Sequence, residues 1–292
     1  MRLVIDTDIG NDCDDAGAIA LMHNLRKEYD FDVLAIGSST PYIEGAHTIE
    51  LINSYYNYEV QIGQNNAINN DRKELYTVKL SNSCNVDKNK QFESYVKTFR
   101  KAFVTTDEKI ELIILGPFSM INEFLNSESD EISTLTGVEL INLKASHIYI
   151  MGGTFANPPK YFANSYITSE WNIKCDIKSV QNFINKIKVE MTFIPFETGL
   201  FLTGKNLIKD LNNPVYKCYE IYSNGLRESW DLVTMYYAIS KDESLFIKSN
   251  KGFVIVDANG VTTFKECENG RHTYLLNKNE ESTKEVIDKY LY

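Results

Sequence analysis

The sequence of 292 residues has few of the features that mark secreted and membrane proteins. Its five cysteines are odd in number and widely scattered, with no C-x-x-C pair, so neither a disulfide framework nor a zinc site is indicated. No stretch approaches the roughly 18 apolar residues of a membrane span. The start, MRLVIDTD, reaches acidic residues at once and lacks the apolar core of a signal peptide. We therefore expect a cytoplasmic protein with reduced thiols.

Basic residues are also fewer than acidic residues. Thirty Lys and Arg residues stand against 40 Asp and Glu, which gives a formal net charge of -10. This balance argues against binding to nucleic acid or to an anionic membrane, and a cation or a neutral small molecule fits better as a partner. The hydrophobic content of 43% is that of a globular protein with a full core. Because no repeat or interdomain linker is apparent, we expect a single domain spanning residues 1–292.

Short β-rich runs alternate with amphipathic stretches along most of the chain. This alternation predicts an α/β fold, with a mostly parallel, doubly wound, Rossmann-like sheet flanked by helices. The predicted strands are 3–6, 32–37, 60–62, 110–115, 147–151 and 189–194, followed by a hairpin of 253–257 and 261–264. The predicted helices are 14–28, 42–57, 92–103, one after Gly116-Pro117, 177–187, 214–224, 231–240 and 280–290. The Asn-rich stretch 65–89 is expected to be a long surface loop.

Five aspartates crowd the segment VIDTDIGNDCDDAGAIAL, between the first strand and the first helix. They are Asp6, Asp8, Asp12, Asp14 and Asp15. So many carboxylates repel one another unless a cation or protons neutralise them. The loop also follows a parallel strand, at the edge where α/β folds usually place ligands. One or two of the aspartates are expected to cap the next helix, but five favour an oxygen-ligated calcium or magnesium site.

Two other aspartate motifs do not fit this segment. An EF-hand loop needs its glycine one position later and a helix, not a strand, before it. A haloacid dehalogenase phosphatase needs Thr or Val where Gly10 stands, and no convincing lysine and acidic motif follows. The position of the residues therefore excludes both.

With strand, D-T-D, glycine, paired aspartates and helix in place, the sequence resembles the inosine–uridine-preferring nucleoside hydrolase family. The family fingerprint is D-x-D-x-G-x-D-D-A, and DTDIGNDCDDA matches it with additional residues before the final Asp-Asp pair. The resemblance implies that Asp8 is a metal ligand and the general base. It also implies that Asp15 is a bidentate metal ligand. One of Asp12 and Asp14 should contact the ribose, and the intact D-D-A run favours Asp14.

Two further stretches match the family in the expected order. LGPFSMI resembles the T-G-P motif, which implies that Leu115 gives its backbone carbonyl to the metal. IMGG followed by Asn164 and the run E-W-N resembles the family's M-G-G, Asn and E-F-N run. The resemblance therefore implies that Asn164, Glu170 and Asn172 hydrogen-bond the ribose hydroxyls.

The last match is Ser229-Trp230-Asp231, which resembles a late His-Asp pair. It implies that Asp231 is the remaining metal ligand and that Trp230 contacts the substrate. The family's histidine is thought to assist departure of the base, and that acid is missing here. Either the base leaves by stacking on Trp230 with protonation from solvent, or the substrate is another ribosyl compound. Candidate contacts to the leaving group are Tyr222, Arg227 and Tyr236.

The resemblance covers residues 3–238 and implies the nucleoside hydrolase fold, a tightly bound calcium ion and a homodimer or homotetramer. The implied activity is hydrolysis of the N-glycosidic bond of ribonucleosides, or of a related ribosyl compound, to ribose and free base. A calcium-bound water activated by Asp8 would carry it out. The alternative is a calcium-dependent ribose- or nucleoside-binding protein with little turnover. Retention of Asp8 favours the enzyme, because a binding protein does not need a base.

Overall fold

The computed structural model describes residues 1–67, 75–84, 86–156, 160–161, 165–166 and 168–291. Its strands are β1 Arg2–Thr7, β2 Asp32–Ser38, β3 Gln61–Gln64, β4 Glu93–Ser94, β5 Ile110–Ile114, β6 Ala145–Met151, β7 Lys160–Tyr161, β8 Ser165–Tyr166, β9 Met191–Ile194, β10 Leu202–Thr203, β11 Arg227–Glu228, β12 Phe246–Lys248, β13 Gly252–Val256, β14 Thr262–Glu266 and β15 His272–Asn277. Its helices are α1 Asp14–Leu25, α2 Ile43–Tyr55, α3 Tyr76–Ser83, α4 Tyr95–Val104, α5 Ser119–Leu125, α6 Gly137–Lys144, α7 Trp171–Cys175, α8 Ile177–Lys186, α9 Pro214–Ser223, α10 Trp230–Ser240 and α11 Glu280–Tyr290. Two 3₁₀ turns cover Phe196–Thr198 and Lys205–Lys209.

One large sheet forms the centre of the part of the chain that the structure describes. Its strands follow the order β4-β3-β2-β1-β5-β6-β9-β15-β13-β14, and β12 also pairs with β15. The pairs from β4 through β15 are parallel, whereas β12, β13 and β14 add antiparallel pairs at one end. The predicted α/β fold with a mostly parallel, doubly wound sheet is confirmed, and so is the late hairpin, β13–β14.

Helices cover both faces of the sheet, as the alternation along β1 requires. Leu3 and Ile5 pack into a core that includes α1 and α10, whereas Val4 points to the opposite core with α4, α5 and α8. Every residue of α1 is buried, including its first two aspartates. A charged first turn inside the protein is costly unless something compensates it, and this marks the start of α1 as a special site.

The order of the strands reverses at β1. From β1 the chain builds β2, β3 and β4 on one side, and then β5, β6 and β9 on the other. Such a switch point leaves a crevice at the carboxyl ends of the two central strands. The aspartate loop follows β1, and the LGPF segment follows β5, so the fold brings both to this crevice.

Two parts of the chain differ from the sequence-based prediction. The stretch 65–89, expected to be a loop, contains α3, because Tyr76 and Leu80 lie one helical turn apart and are both buried. The helix predicted at 92–103 begins at Tyr95, after the short strand β4. The sequence patterns predicted neither the helices α6 and α7 nor the strands β12 and β15. None of the described helices is long and apolar enough to span a membrane.

Candidate active site

A cavity of about 470 Å³ opens at the carboxyl ends of the central strands. Acidic residues form one side of it and aromatic residues another. Its lining comprises Asp8, Asn11, Asp12, Asp14, Leu115, Met151, Ser169, Glu170, Trp171, Asn172, Lys174, Phe196, Tyr222, Arg227, Trp230 and Asp231. The fold therefore gathers residues that lie far apart in sequence, and most of the predicted site residues are among them.

Backbone geometry holds Asp8 in place. Gly10, two residues later, has φ +129°, a left-handed conformation that side-chain-bearing residues rarely adopt. Gly116, after β5, lies so close that a Cβ there would come within 2.8 Å of the Asp8 Cβ. Only glycine fits at that position. The amide of Asn11 donates a hydrogen bond to Asp8 Oδ2 at 2.6 Å, which fixes the orientation of the carboxylate.

The first turns of α1 and α10 meet beside Asp8. The backbone N–H of Asp231 donates to Asp14 Oδ2 at 3.1 Å, and the hydroxyl of Thr7 donates to Asp15 Oδ1. Asp14, Asp15 and Asp231 are 2%, 0% and 5% exposed. Because helix N-termini carry partial positive charge, this arrangement favours carboxylates at both. Asp15 Oδ2 is buried and has no hydrogen-bond partner among the described residues.

Burial is the main cause that raises the pKa of four carboxyls here, those of Asp8, Asp14, Asp15 and Asp231. Burial and the charge of Asp12 raise the pKa of Asp8 to about 7. Burial, followed by the charges of neighbouring aspartates, raises the pKa of Asp14, Asp15 and Asp231 well above the ordinary value. Carboxyls packed this closely need a cation or protons between them.

The donor set fits a metal ion. Carboxylate oxygens of Asp12, Asp14 and Asp15 lie within 4.8 Å of one another, and this group could hold a cation. Of the ligands predicted from the sequence, this group contains Asp15 only. The charge of Asp8 raises the pKa of both Asp15 and Asp231, so these three predicted ligands interact electrostatically. Oxygen ligands alone, with one of them buried and unpartnered, suit a hard divalent ion.

The run Glu170-Trp171-Asn172 supplies both the cavity wall and its internal bracing. Glu170, 2% exposed, accepts hydrogen bonds from the backbone N–H groups of Asn172, Ile173 and Gly153, and so caps α7. Burial raises its pKa to about 7 despite these bonds. The side-chain amide of Asn172 donates to the carbonyl of Leu115 at 2.7 Å. A carbonyl has a second lone pair, so Leu115 can still bind a metal. Asn164 lies outside the described residues.

Aromatic side chains and one cation form the wall near α10. Trp230 stacks on Phe196 with ring centroids 5.1 Å apart, and its indole N–H donates to the Phe196 carbonyl at 2.9 Å. The indole proton is therefore already bound within the protein. Tyr222 and Arg227 also line the cavity, whereas Tyr236 does not line it and donates its hydroxyl to Asp242 at 3.1 Å.

Several residues at the site were not singled out from the sequence. Asn11 had a usable signal, because it lies within the aspartate loop. Thr7, which binds Asp15, is the central residue of D-T-D and could have been noted for the same reason. Phe196 gave no signal, since it reaches Trp230 only after β9 and α10 have packed together.

The raised pKa values predict how the metal-free protein responds to pH. Between their ordinary and raised values the folded carboxyls hold protons that the unfolded chain has lost, so stability falls as the pH rises through this range. Three histidines, the buried His23 and His272 and the half-buried His147, have pKa values lowered to about 4 and act in the opposite direction, but only below their ordinary value of 6.5. We therefore expect the melting temperature of chelator-treated protein to fall between about pH 6.5 and about pH 8.5.

Thermal unfolding followed by circular dichroism checks this expectation. Calcium chloride should reduce the fall in melting temperature with rising pH. An ion bound only to the native carboxylates takes the place of the protons that those carboxyls hold in the metal-free protein. A metal-free melting temperature that rises across the same interval would show that the cluster does not carry excess protons.

The chain is similar to a known protein family and to several solved structures. The family model described as inosine-uridine preferring nucleoside hydrolase matches residues 3–288, and comparison with curated proteins gives no match. The solved structure of an inosine-uridine preferring nucleoside hydrolase from Bacillus anthracis is 16% identical, with TM-score 0.70 and coverage of 99% of this chain and 98% of that chain. A plant nucleoside hydrolase is 17% identical, with TM-score 0.72 and coverage of 99% of this chain and 98% of that chain. The type III effector protein XopQ, complexed with adenosine diphosphate ribose, is 10% identical, with TM-score 0.69 and coverage of 100% of this chain and 93% of that chain. At such identities, these structures establish a shared fold.

Proposed function

Because the chain belongs to the inosine-uridine preferring nucleoside hydrolase family, and is therefore a hydrolase acting on N-glycosyl compounds, we propose that its substrates are ribonucleosides or related ribosyl compounds. The products are ribose and the free base. The observation that carries this proposal is the group of buried carboxylates around Asp8 at one side of the cavity. Such a group suits a reaction in which positive charge develops on the sugar ring, as in glycoside hydrolysis.

We propose calcium as the cation, held by Asp8, Asp15, Asp231 and the backbone carbonyl of Leu115. The all-oxygen donor set, the unpartnered Asp15 Oδ2 and the mutually raised pKa values support it. When bound, such an ion lowers the pKa of water and holds sugar hydroxyls in place.

Asp8 is the proposed general base. Water attacks C1′ while the C1′–N bond breaks, and Asp8 accepts the proton that the water loses. The electron pair of the broken bond leaves with the nucleobase, and the nucleobase then takes a proton from solvent. The hydrogen bond from Asn11 keeps the Asp8 carboxylate in one orientation during this step.

The sugar is held, in this proposal, by Asp14, Asn164, Glu170 and Asn172. Holding the ribose beside the Asp8 carboxylate orients the reacting atoms, and such orientation makes a large contribution to the rate of hydrolysis. Asp14 is preferred to Asp12 as the ribose contact, because Asp12 Oδ2 is engaged by Arg227 at 2.8 Å. Homo-oligomer formation and a cytoplasmic location remain proposals that rest on the resemblance and the cysteine content.

The assay that tests the function is simultaneous measurement of free ribose and free base from a panel of ribonucleosides with calcium present. Stoichiometric release supports the proposal. The second candidate is a ribosyl-binding protein with little turnover, favoured by the missing histidine and by the fold shared with an effector protein complexed with adenosine diphosphate ribose. Saturable binding without release would support that candidate instead.

The leaving group should dominate the rate. Since the indole N–H of Trp230 is bonded to Phe196, no acid stands where the family's histidine does. Aromatic stacking contributes about 0.5–1.5 kcal/mol, or roughly three- to tenfold in rate, which is less than a general acid supplies. We therefore expect p-nitrophenyl riboside to be hydrolysed much faster than inosine or uridine. Steady-state kcat/KM on the three substrates checks this.

Replacement of the tryptophan extends the same test. Trp230→Ala should reduce kcat/KM for inosine more than for the activated riboside, whose phenolate departs readily. A matched control is Trp171→Ala, since Trp171 is 64% exposed at the cavity rim and forms no part of the Trp230–Phe196 stack. Equal kcat/KM for uridine and p-nitrophenyl riboside in the wild type would mean that another residue delivers a proton.

A further inference from the structure

Arg227 occupies an unusual position among the cavity residues. Its Nη2 lies 2.8 Å from Asp12 Oδ2, and its Nη1 lies 2.8 Å from Glu228 Oε2. Its guanidinium carbon lies 4.9 Å from the Trp230 ring centroid and 5.3 Å from that of Tyr222. Two ion pairs and two aromatic rings thus hold a planar cation at the wall of the cavity.

The partner of Arg227 comes from the part of the first loop that departs from the family fingerprint. DTDIGNDCDDA has three residues between Gly10 and the paired aspartates, where the fingerprint has one, and Asp12 is the middle residue of the three. The ion pair joins positions 215 residues apart, so it connects the aspartate loop directly to the segment before α10. The departure from the fingerprint therefore supplies a carboxylate that anchors this cation.

Arg227 lies where the carboxylates of the cavity meet its aromatic wall, which is the side that suits an aglycone. Its guanidinium pairs with Asp12 of the aspartate loop and lies against the rings of Tyr222 and Trp230, and Phe196 stacks on Trp230 in turn. Of the described residues that line the cavity, Lys174 is the other cation, and it is exposed. A flat heterocycle is recognised by aromatic faces, and a guanidinium beside them meets its ring nitrogen and oxygen acceptors.

Arg227 stays charged throughout the reaction. Burial lowers its pKa, but the charge of Asp12 and the hydrogen bond with it outweigh burial, so its pKa lies above the ordinary value. A guanidinium that does not lose its proton is not a general acid. Its Nε–H is buried and has no acceptor among the described residues. What it can do is stabilise negative charge that develops on a neighbouring group.

We infer that Arg227, positioned by Asp12, determines specificity by stabilising the negative charge on the aglycone as the C1′–N bond breaks. This inference rests on the proposed function and names the class of leaving group, one that departs as an anion. The bonding electrons pass to the aglycone nitrogen, Arg227 offsets the resulting charge, and solvent later supplies the proton. Asp12 is a positioning residue, because it acts through Arg227.

The kinetic test compares Arg227→Met and Arg227→Lys on inosine and p-nitrophenyl riboside. Arg227→Met keeps the hydrocarbon stem and removes the charge, and should lower kcat for inosine by roughly 10²-fold, the cost of one such donor. The activated riboside should lose much less, and Arg227→Lys should recover part of the inosine activity. Asp12→Asn should move the inosine-to-riboside ratio in the same direction by a smaller factor. An equal loss on both substrates would assign Arg227 a structural role and overturn the inference.

A binding test separates this inference from the proposed function. 5-Nitrouracil is an anion at neutral pH, and thymine is a neutral molecule of similar shape. Isothermal titration should show that the wild type prefers 5-nitrouracil and that Arg227→Met abolishes this preference. If the wild type hydrolyses nothing but shows this preference, the proposed function fails and recognition of an anionic aglycone stands. If Arg227→Met leaves the preference intact, the inference fails whatever the turnover.

Discussion

Asp8→Asn is expected to lower kcat by about 10²–10⁴, the usual cost of losing a general base. Asparagine keeps the shape of the side chain, so it should still fit against Gly116, where a Cβ would come within 2.8 Å of the Asp8 Cβ. It does not accept the proton that water must lose, and it binds a cation less well. The measurement is single-turnover hydrolysis of p-nitrophenyl riboside at saturating calcium, with bound calcium determined on the same sample.

Two controls make this result specific. Asp107→Asn is the same chemical change on a fully exposed side chain that precedes β5, at the opposite end of the sheet, and its ion pair with Lys144 spans 3.5 Å. Cys13→Ala alters a neighbour of the aspartates without removing a carboxylate. Both should stay close to the wild-type rate. Near-normal turnover by Asp8→Asn with calcium still bound would remove Asp8 from the role of base.

Removal of the cation should abolish turnover and lower stability together. Without it, the buried carboxyls of Asp14, Asp15 and Asp231 either take up protons or repel one another. A ligand at 100 times its Kd stabilises the native state by about 2.7 kcal/mol, which corresponds to roughly 5–10 °C in melting temperature for a chain of this size. We expect dialysis against a chelator to have both effects and added calcium to reverse them.

Asp231→Asn provides the matched test of the metal site. It should reduce the thermal shift produced by calcium, while Asp107→Asn should keep the full shift. Elemental analysis of the protein purified without chelator should find calcium. Zinc in that analysis, or a melting temperature indifferent to calcium in the wild type, would contradict the proposed ion and its ligands.

The parts of the fold that could be predicted from sequence depend on local patterns. The alternation of β-rich and amphipathic runs located most of the central strands, and α11 was predicted with the bounds that it has. The aspartate loop could be predicted because five carboxylates within ten residues conflict electrostatically wherever the chain places them. The strand order then follows from general rules for doubly wound sheets.

The parts that could not be predicted depend on contacts between distant segments. The pairing of Asp12 with Arg227 joins loops 215 residues apart, and neither residue alone indicates its partner. Tyr236 was a plausible substrate contact from its position near Trp230, yet the turn of α10 directs its hydroxyl to Asp242. The partner that a helical side chain contacts depends on which face of the helix is buried, and that face is determined by tertiary packing.

The most direct test of the central claim is the release of ribose and base from ribonucleosides and p-nitrophenyl riboside by calcium-loaded protein, with Asp8→Asn measured in parallel. The account predicts equal molar amounts of sugar and aglycone from the wild type, fastest with the riboside, and almost none from the variant. Binding of the same compounds by the wild type without release of sugar would contradict it.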